Sequence, residues 1–214
     1  MNYELKRPKL IPLALLLNLS VVWFLTHHYW FNFLLTFLLG TATMLLLFGK
    51  RAYYDLFKKG KTSFWFLVSI WFWIKLGDLI LSGIYVGIRG NLDQFEHSNS
   101  NIGSTLPHLS DKIFWLCKAM FSAVNEEMMF IPILLTLFVL MKGNKFSWYV
   151  ASFFSGIAFA FLHWGAYVLQ PAIIISLLVT RMALNETYKK CDSIRGPMTV
   201  HFLLDLTLIL FCLG

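Results

Sequence analysis

Charge is what this sequence has least of. Asp, Glu, Lys and Arg make up 14% of its 214 residues, and the acidic ones number 11 against 18 basic ones. A soluble domain carries about 25% charged residues, so this chain lacks the polar surface that would keep it dissolved on its own. Cysteine is scarce as well. Cys117, Cys191 and Cys212 are odd in number, far apart and without CxxC spacing, which excludes a disulfide framework and a thiolate zinc site and leaves free buried thiols. Long polar loops are missing apart from one at 89–111, rich in Asn, Ser, Gly and Asp. There is no internal repeat and no low-complexity tract, so a repeat-built transporter has no support. The first apolar run ends in His27-His28-Tyr29-Trp30 without the small residues a signal peptidase needs, and is expected to stay as a helix.

What the sequence does have is apolar surface. Hydrophobic residues make up 58% of it, more than one soluble core of this length could hide, so the bilayer must be the solvent. About 20 apolar residues cross roughly 30 Å of hydrocarbon. Such runs lie at about 10–29, 30–49, 63–88, 112–140, 146–169, 170–188 and 197–214. The expected fold is all-α, a polytopic membrane bundle of about seven transmembrane helices. Residues 1–214 form one transmembrane domain in this reading, with 1–111 as helices without motifs and 112–210 as the motif-bearing core.

The net charge of +7 gathers in the short breaks between runs: Lys6, Arg7 and Lys9, then 50–61, then Lys142 and Lys145, then Lys189, Lys190 and Arg195. These breaks fall on one side of alternating spans. That is a topology signal rather than a phosphate-binding face, so no nucleic-acid partner is expected and the N-terminus is expected in the cytoplasm.

An ionisable group at the bilayer centre costs about 2.5–3.5 kcal/mol on insertion scales, so each one is a functional candidate. Glu126 and Glu127 sit side by side in the fourth span, among Ala123, Val124, Met128, Met129 and Phe130. Adjacent helical residues point about 100° apart, so one should face a water while the other accepts hydrogen bonds from a neighbouring helix. His163 closes the FxxxH string 159–163 in the fifth span. His201 and Asp205 form an HxxxD pattern on one face of the seventh. Such a set could activate water and steady the charge that results.

Glu-Glu, then FxxxH, then HxxxD, in that order on successive motif-bearing membrane helices, resembles the CAAX-protease and bacteriocin-processing family, also called CPBP or Abi. The resemblance covers about 112–210. It implies an intramembrane endopeptidase, a peptide or prenylated-protein precursor as substrate, and a bacterial cell membrane with bacteriocin processing or self-immunity as a setting. It implies that Glu126 is the general base, that His163 holds and polarises the water, and that His201 and Asp205 stabilise the oxyanion. If zinc is bound, Glu126, His163, His201 and Asp205 are its ligands; a metal-free glutamate mechanism is the alternative. The family's usual Arg four residues after the second Glu is Ile131 here. Arg181, mid-way along the sixth span, is the candidate replacement as partner of Glu127. Asp205, where many members carry Asn, adds negative charge that favours a metal.

Other readings of the five residues are a buried polar network in a non-catalytic scaffold or immunity protein, and a proton relay in a carrier. At about 1.5 Å per residue, Glu126 and His163 lie roughly 22–25 Å from the basic ends of their spans, while His201 lies only about 10 Å past Arg195. A dip through 191–197 would bring them level. Lys75 and Asp78, three apart in the third span, are expected to form an ion pair facing the bundle, with contact to substrate as the alternative. His27, His28 and the tryptophans are expected at interfaces or in packing, Trp164 beside His163 included.

Overall fold

The computed structural model describes residues 4–26, 32–89, 109–163 and 171–213. Among them are eight α-helices and no strand: α1 (Ile11–Thr26), α2 (Asn32–Leu47), α3 (Gly49–Leu56), α4 (Phe64–Arg89), α5 (Leu109–Leu140), α6 (Lys145–Leu162), α7 (Pro171–Cys191) and α8 (Arg195–Leu213). The fold is an all-α membrane bundle. Its seven long helices coincide with the seven apolar runs, and α3 is a short extra helix in the basic 50–61 break. His27, His28, Trp164 and most of the 89–111 stretch lie outside the described residues.

Three helical segments, Phe64–Ile88, Lys112–Leu140 and Lys145–Leu162, are long and apolar enough to cross a membrane by themselves. The 170–188 run is not of that kind, because α7 carries Arg181, Asn185 and Glu186 in its second half. It is sheltered by protein instead, with Arg181, Leu184, Asn185, Thr187 and Tyr188 buried. On α4 the reverse holds: Phe64, Trp65, Phe72, Trp73, Leu79, Ile80 and Ile84 are exposed, an apolar face suited only to hydrocarbon.

Close packing of α2 on α5 sets the frame of the core. Pro132 lies inside α5 and offers no N–H to the Met128 carbonyl one turn earlier. Gly40 of α2 sits at that spot, where a Cβ would collide with the Met128 carbonyl oxygen. Only glycine allows the two backbones to approach this closely. Around Pro132, Ile131, Leu134, Leu135 and Phe138 of α5 share one apolar cluster with Met44 and Leu47 of α2 and Trp148 of α6.

The basic breaks meet at one end of the bundle. Lys6 N–H donates to the Leu47 carbonyl at 2.9 Å, and Gly49, at φ 84°, turns α2 into α3. Between α5 and α6 the chain turns through Lys142 and Gly143, at φ 73° and 63°, and the Asn144 side chain caps α6 by accepting from Ser147 N–H at 2.8 Å.

The turn from α7 to α8 explains how His201 reaches the depth of Glu126. Ser193, Ile194, Gly196 and Pro197 are buried, and residues 56–61 lie over them. Ile194 N–H donates to the Leu56 carbonyl (2.8 Å), Lys61 N–H to the Cys191 carbonyl (2.9 Å) and Ser193 Oγ to the Lys58 carbonyl (2.6 Å). Asp192 pairs with Lys58 and Lys61 at 2.8 and 2.7 Å. The α7–α8 turn is therefore enclosed by protein on the side of residues 56–61, while Arg195, the first residue of α8, is exposed.

Two expectations need correction. Lys75 and Asp78 form no ion pair within 4.0 Å; Asp78 accepts a 2.5 Å hydrogen bond from Ser176 Oγ of α7 instead. Its short side chain reaches the neighbouring helix more readily than the next turn of its own. Cys117 is exposed rather than buried, because the first turns of α5 present Ile113, Phe114, Leu116 and Phe121 on the outside as well. Cys191 is buried, with its Sγ 2.7 Å from Thr62 Oγ1.

Candidate active site

Glu126 and Glu127 leave α5 in different directions and enter different environments. Glu127 is fully buried. Arg181 of α7 grips it with both terminal nitrogens, Nη1 to Oε1 at 2.7 Å and Nη2 to Oε2 at 2.8 Å. Asn185, one turn further along α7, accepts from Arg181 Nε at 2.9 Å and from Nη2 at 2.8 Å. The guanidinium lies 5.3 Å from the Phe130 ring centre and 5.8 Å from that of Phe159. Unpaired, either charge would pay heavily for leaving water; paired in a two-pronged fork, they can stay there ionised. Position 131 holds a fully buried isoleucine, and the cation comes from another helix.

His201 of α8 links this clamp to the second glutamate. Its Nδ1 lies 2.9 Å from Glu127 Oε1, and its Nε2 lies 3.6 Å from Glu126 Oε2 and 4.0 Å from Asp205 Oδ1. His163, just past the end of α6, turns Nδ1 to the Phe159 carbonyl at 2.8 Å and Nε2 to Glu126 Oε2 at 3.8 Å. A carbonyl and a carboxylate only accept, so both Nδ1 atoms carry hydrogen and both Nε2 atoms face Glu126. Glu126 Oε1 accepts from Ser122 Oγ at 3.0 Å, whereas Oε2 is buried and has no hydrogen-bond partner among the described residues.

The site is layered. Side chains of Glu127, Arg181 and His201 are 0%, 0% and 7% exposed; those of Glu126, His163 and Asp205 are 24%, 21% and 30% exposed. The inner layer fixes the imidazole of His201, and the outer layer is open to a small molecule. Glu126 Oε2 is flanked by two imidazole nitrogens at 3.6 and 3.8 Å, distances too long for direct hydrogen bonds.

Residues 108–207 match the family model of the type II CAAX prenyl endopeptidase Rce1-like proteins. That segment is similar to the Rce1-like family. The family carries CAAX-type protease activity within membranes, and with it a peptide or protein substrate. No curated protein and no solved structure matches the chain.

All five of the motif residues and Arg181 fall inside the Rce1-like segment, and α5, α6, α7 and α8 bring them together. In donor chemistry, two imidazole Nε2 atoms facing a carboxylate suit zinc. Their arrangement does not: among the described residues no group of three or more His, Cys, Asp or Glu side chains is placed to hold a metal ion. Three groups in contact with this cluster were not found from sequence: Ser122, Asn185 and the Phe159 carbonyl. The first two were signalled by i,i+4 spacing to Glu126 and Arg181, a weak signal that means something only once those two are known to be buried.

Proposed function

We propose that the protein is an intramembrane endopeptidase that hydrolyses a peptide bond of a prenylated or otherwise membrane-held precursor, with Glu126 as general base. One observation carries the reading: a buried carboxylate oxygen without a hydrogen-bond partner faces two imidazole nitrogens at 3.6 and 3.8 Å, on a side chain that is itself partly exposed. Glu126 Oε2 takes a proton from the water held there as the water oxygen bonds to the scissile carbonyl carbon. The displaced electron pair rests on the carbonyl oxygen, where the His201 Nε2 hydrogen supports it. The C–N bond then breaks, and the leaving amine takes the proton from Glu126. His163 orients the water.

Asp205 has a different part from the one its motif implies. A carboxylate beside an oxyanion repels it, so Asp205 acts through His201, whose charge it supports. Glu127 does the same from the other ring nitrogen, and Arg181 and Asn185 hold Glu127 in place. The basic end of the bundle, with the N-terminus, is assigned to the cytoplasm on its cations. Bacteriocin processing and self-immunity have no observation in their favour.

The test is cleavage in isotopic water. Purified protein in lipid nanodiscs, given a farnesylated peptide with apolar residues after its modified cysteine, should release a fragment whose new carboxyl carries one ¹⁸O. Absence of any product from prenylated and unprenylated peptides alike removes the endopeptidase reading and favours a scaffold.

A further inference from the structure

Folding gathers the cations of separate basic breaks onto one face. The segment 49–61 carries Lys50, Arg51, Lys58, Lys59 and Lys61 against a single acid, Asp55. Its first part is α3, a short amphipathic helix. Leu56 is buried and Ala52 and Tyr53 pack on the apolar core, while Lys50, Arg51 and Tyr54 are exposed. The Lys6 side chain lies across Gly49 at the head of this helix. The second part of the segment, 56–61, covers the α7–α8 turn. There the bond from Ile194 N–H to the Leu56 carbonyl sets exposed Arg195 next to the cover.

Little on the protein answers this charge. Asp192 is shared between Lys58 and Lys61. Lys50, Arg51 and Lys59 are exposed and form no ion pair within 4.0 Å with any described residue. Like charges held together on a surface repel one another, and an anion set among them relieves the repulsion. The surroundings of the face indicate which anion. α4 leads away from it through Phe64 and Trp65, 58% and 76% exposed, whose rings belong at the boundary between headgroups and hydrocarbon rather than in water. Whatever covers the cations must be continuous with the bilayer, which an acidic soluble protein is not.

We infer that α3 and residues 58–61, together with Arg195, form a docking surface for the headgroups of anionic phospholipids. α3 lies in the headgroup layer as an interfacial helix, its apolar side on the protein core and its cations toward the lipid phosphates. The surface is also tied to the bundle interior. Residues 56–61 hold the turn from which α8 departs toward His201, so an anionic headgroup drawing Lys59 and Arg195 together fastens that cover. The inference stands apart from the endopeptidase reading, since it needs the cations and the bilayer but not the catalytic cluster.

The experiment measures quenching of tryptophan fluorescence by brominated phosphatidylglycerol or brominated phosphatidylcholine in nanodiscs. The part of the quenching that Trp65→Phe removes reports on this face. There the wild type should prefer phosphatidylglycerol at least about tenfold at low ionic strength, and the preference should shrink in high salt. Lys50→Gln, Arg51→Gln and Lys59→Gln combined, which spare the Asp192 pairs, should bring the two lipids near parity. Lys142→Gln with Lys145→Gln, a loss of charge on the α5–α6 turn, should leave most of the preference. Melting temperatures report whether the variants are folded. If the triple variant is not, Lys59→Gln alone replaces it, with an expected fall in preference of about twofold. Equal binding of the two lipids by the wild type overturns the inference. So does a preference untouched by loss of the α3 and 58–61 cations. A reduction of the same size in the α5–α6 variant overturns it too, because the attraction would then belong to the basic end as a whole.

Discussion

Arg181 holds Glu127 through both terminal nitrogens, at 2.7 and 2.8 Å, where both side chains are closed off from solvent. A salt bridge this deep is not free stability, because desolvating the ions offsets much of their attraction. Its value is geometric. It fixes the carboxylate that orients His201 Nδ1, and through the ring it fixes Nε2 beside Glu126.

Removing one partner strands the other. Arg181→Ala should cost about 3–5 kcal/mol, read as a large fall in thermal unfolding temperature in nanodiscs. In a double-mutant cycle with Glu127→Ala the two losses should be far from additive. Additive losses would show that the two side chains act independently.

The histidines should separate by their neighbours. His163→Ala and His201→Ala should each lower kcat by about 100- to 1000-fold. Only His201→Ala should also destabilise, by about 1–3 kcal/mol, since it takes a hydrogen bond from buried Glu127. Melting curves beside single-turnover rates distinguish them; equal melting temperatures for the two variants contradict the layered arrangement.

Much of this site was visible in the sequence, because ionisable residues in apolar runs announce themselves by their cost. Glu126, Glu127, His163, His201 and Asp205 were found that way, Arg181 as the replacement for the cation missing at position 131, and the number of long helices followed from the apolar runs. What sequence could not show was relative depth. The span 197–214 looked too short to bring His201 level with Glu126, since nothing in the string reveals that residues 56–61 cover the α7–α8 turn. The Lys75–Asp78 pairing failed for a similar reason: i,i+3 spacing says two groups can meet, not that a serine on another helix will take one of them. The order of the clamp, with Asn185 behind Arg181 and Ser122 behind Glu126, depends on helix rotation, which periodicity in a nearly all-apolar chain defines poorly.

The cover on that turn should respond to acid. Burial of the Asp192 carboxyl opposes its ionisation, but hydrogen bonds and charge from Lys58 and Lys61 outweigh this and hold it below its ordinary value of 3.8. The stabilisation is then fully present above pH 3.8 and is lost as pH falls through the lower folded value. With Lys58 and Lys61 40% and 69% exposed, it is worth about 1 kcal/mol or less. The difference in melting temperature between wild type and Asp192→Asn should hold steady from neutrality to about pH 5 and close in stronger acid. A difference that widens on acidification contradicts the pairing.

Metal dependence gives a further check. With water activated by Glu126, protein stripped by chelator and dialysed should cleave at its original rate. Loss of cleavage that returns only with added zinc would transfer the activation of water to a metal held by Glu126, His163, His201 and Asp205.

The most direct measurement is the cleavage rate of Glu126→Gln beside its melting temperature, both in nanodiscs. Glutamine keeps the size of the side chain and the Ser122 contact but cannot take a proton. The account predicts a rate at least about 100-fold lower with melting within a degree or two of wild type. A variant that cleaves as fast as wild type, properly folded, would contradict it.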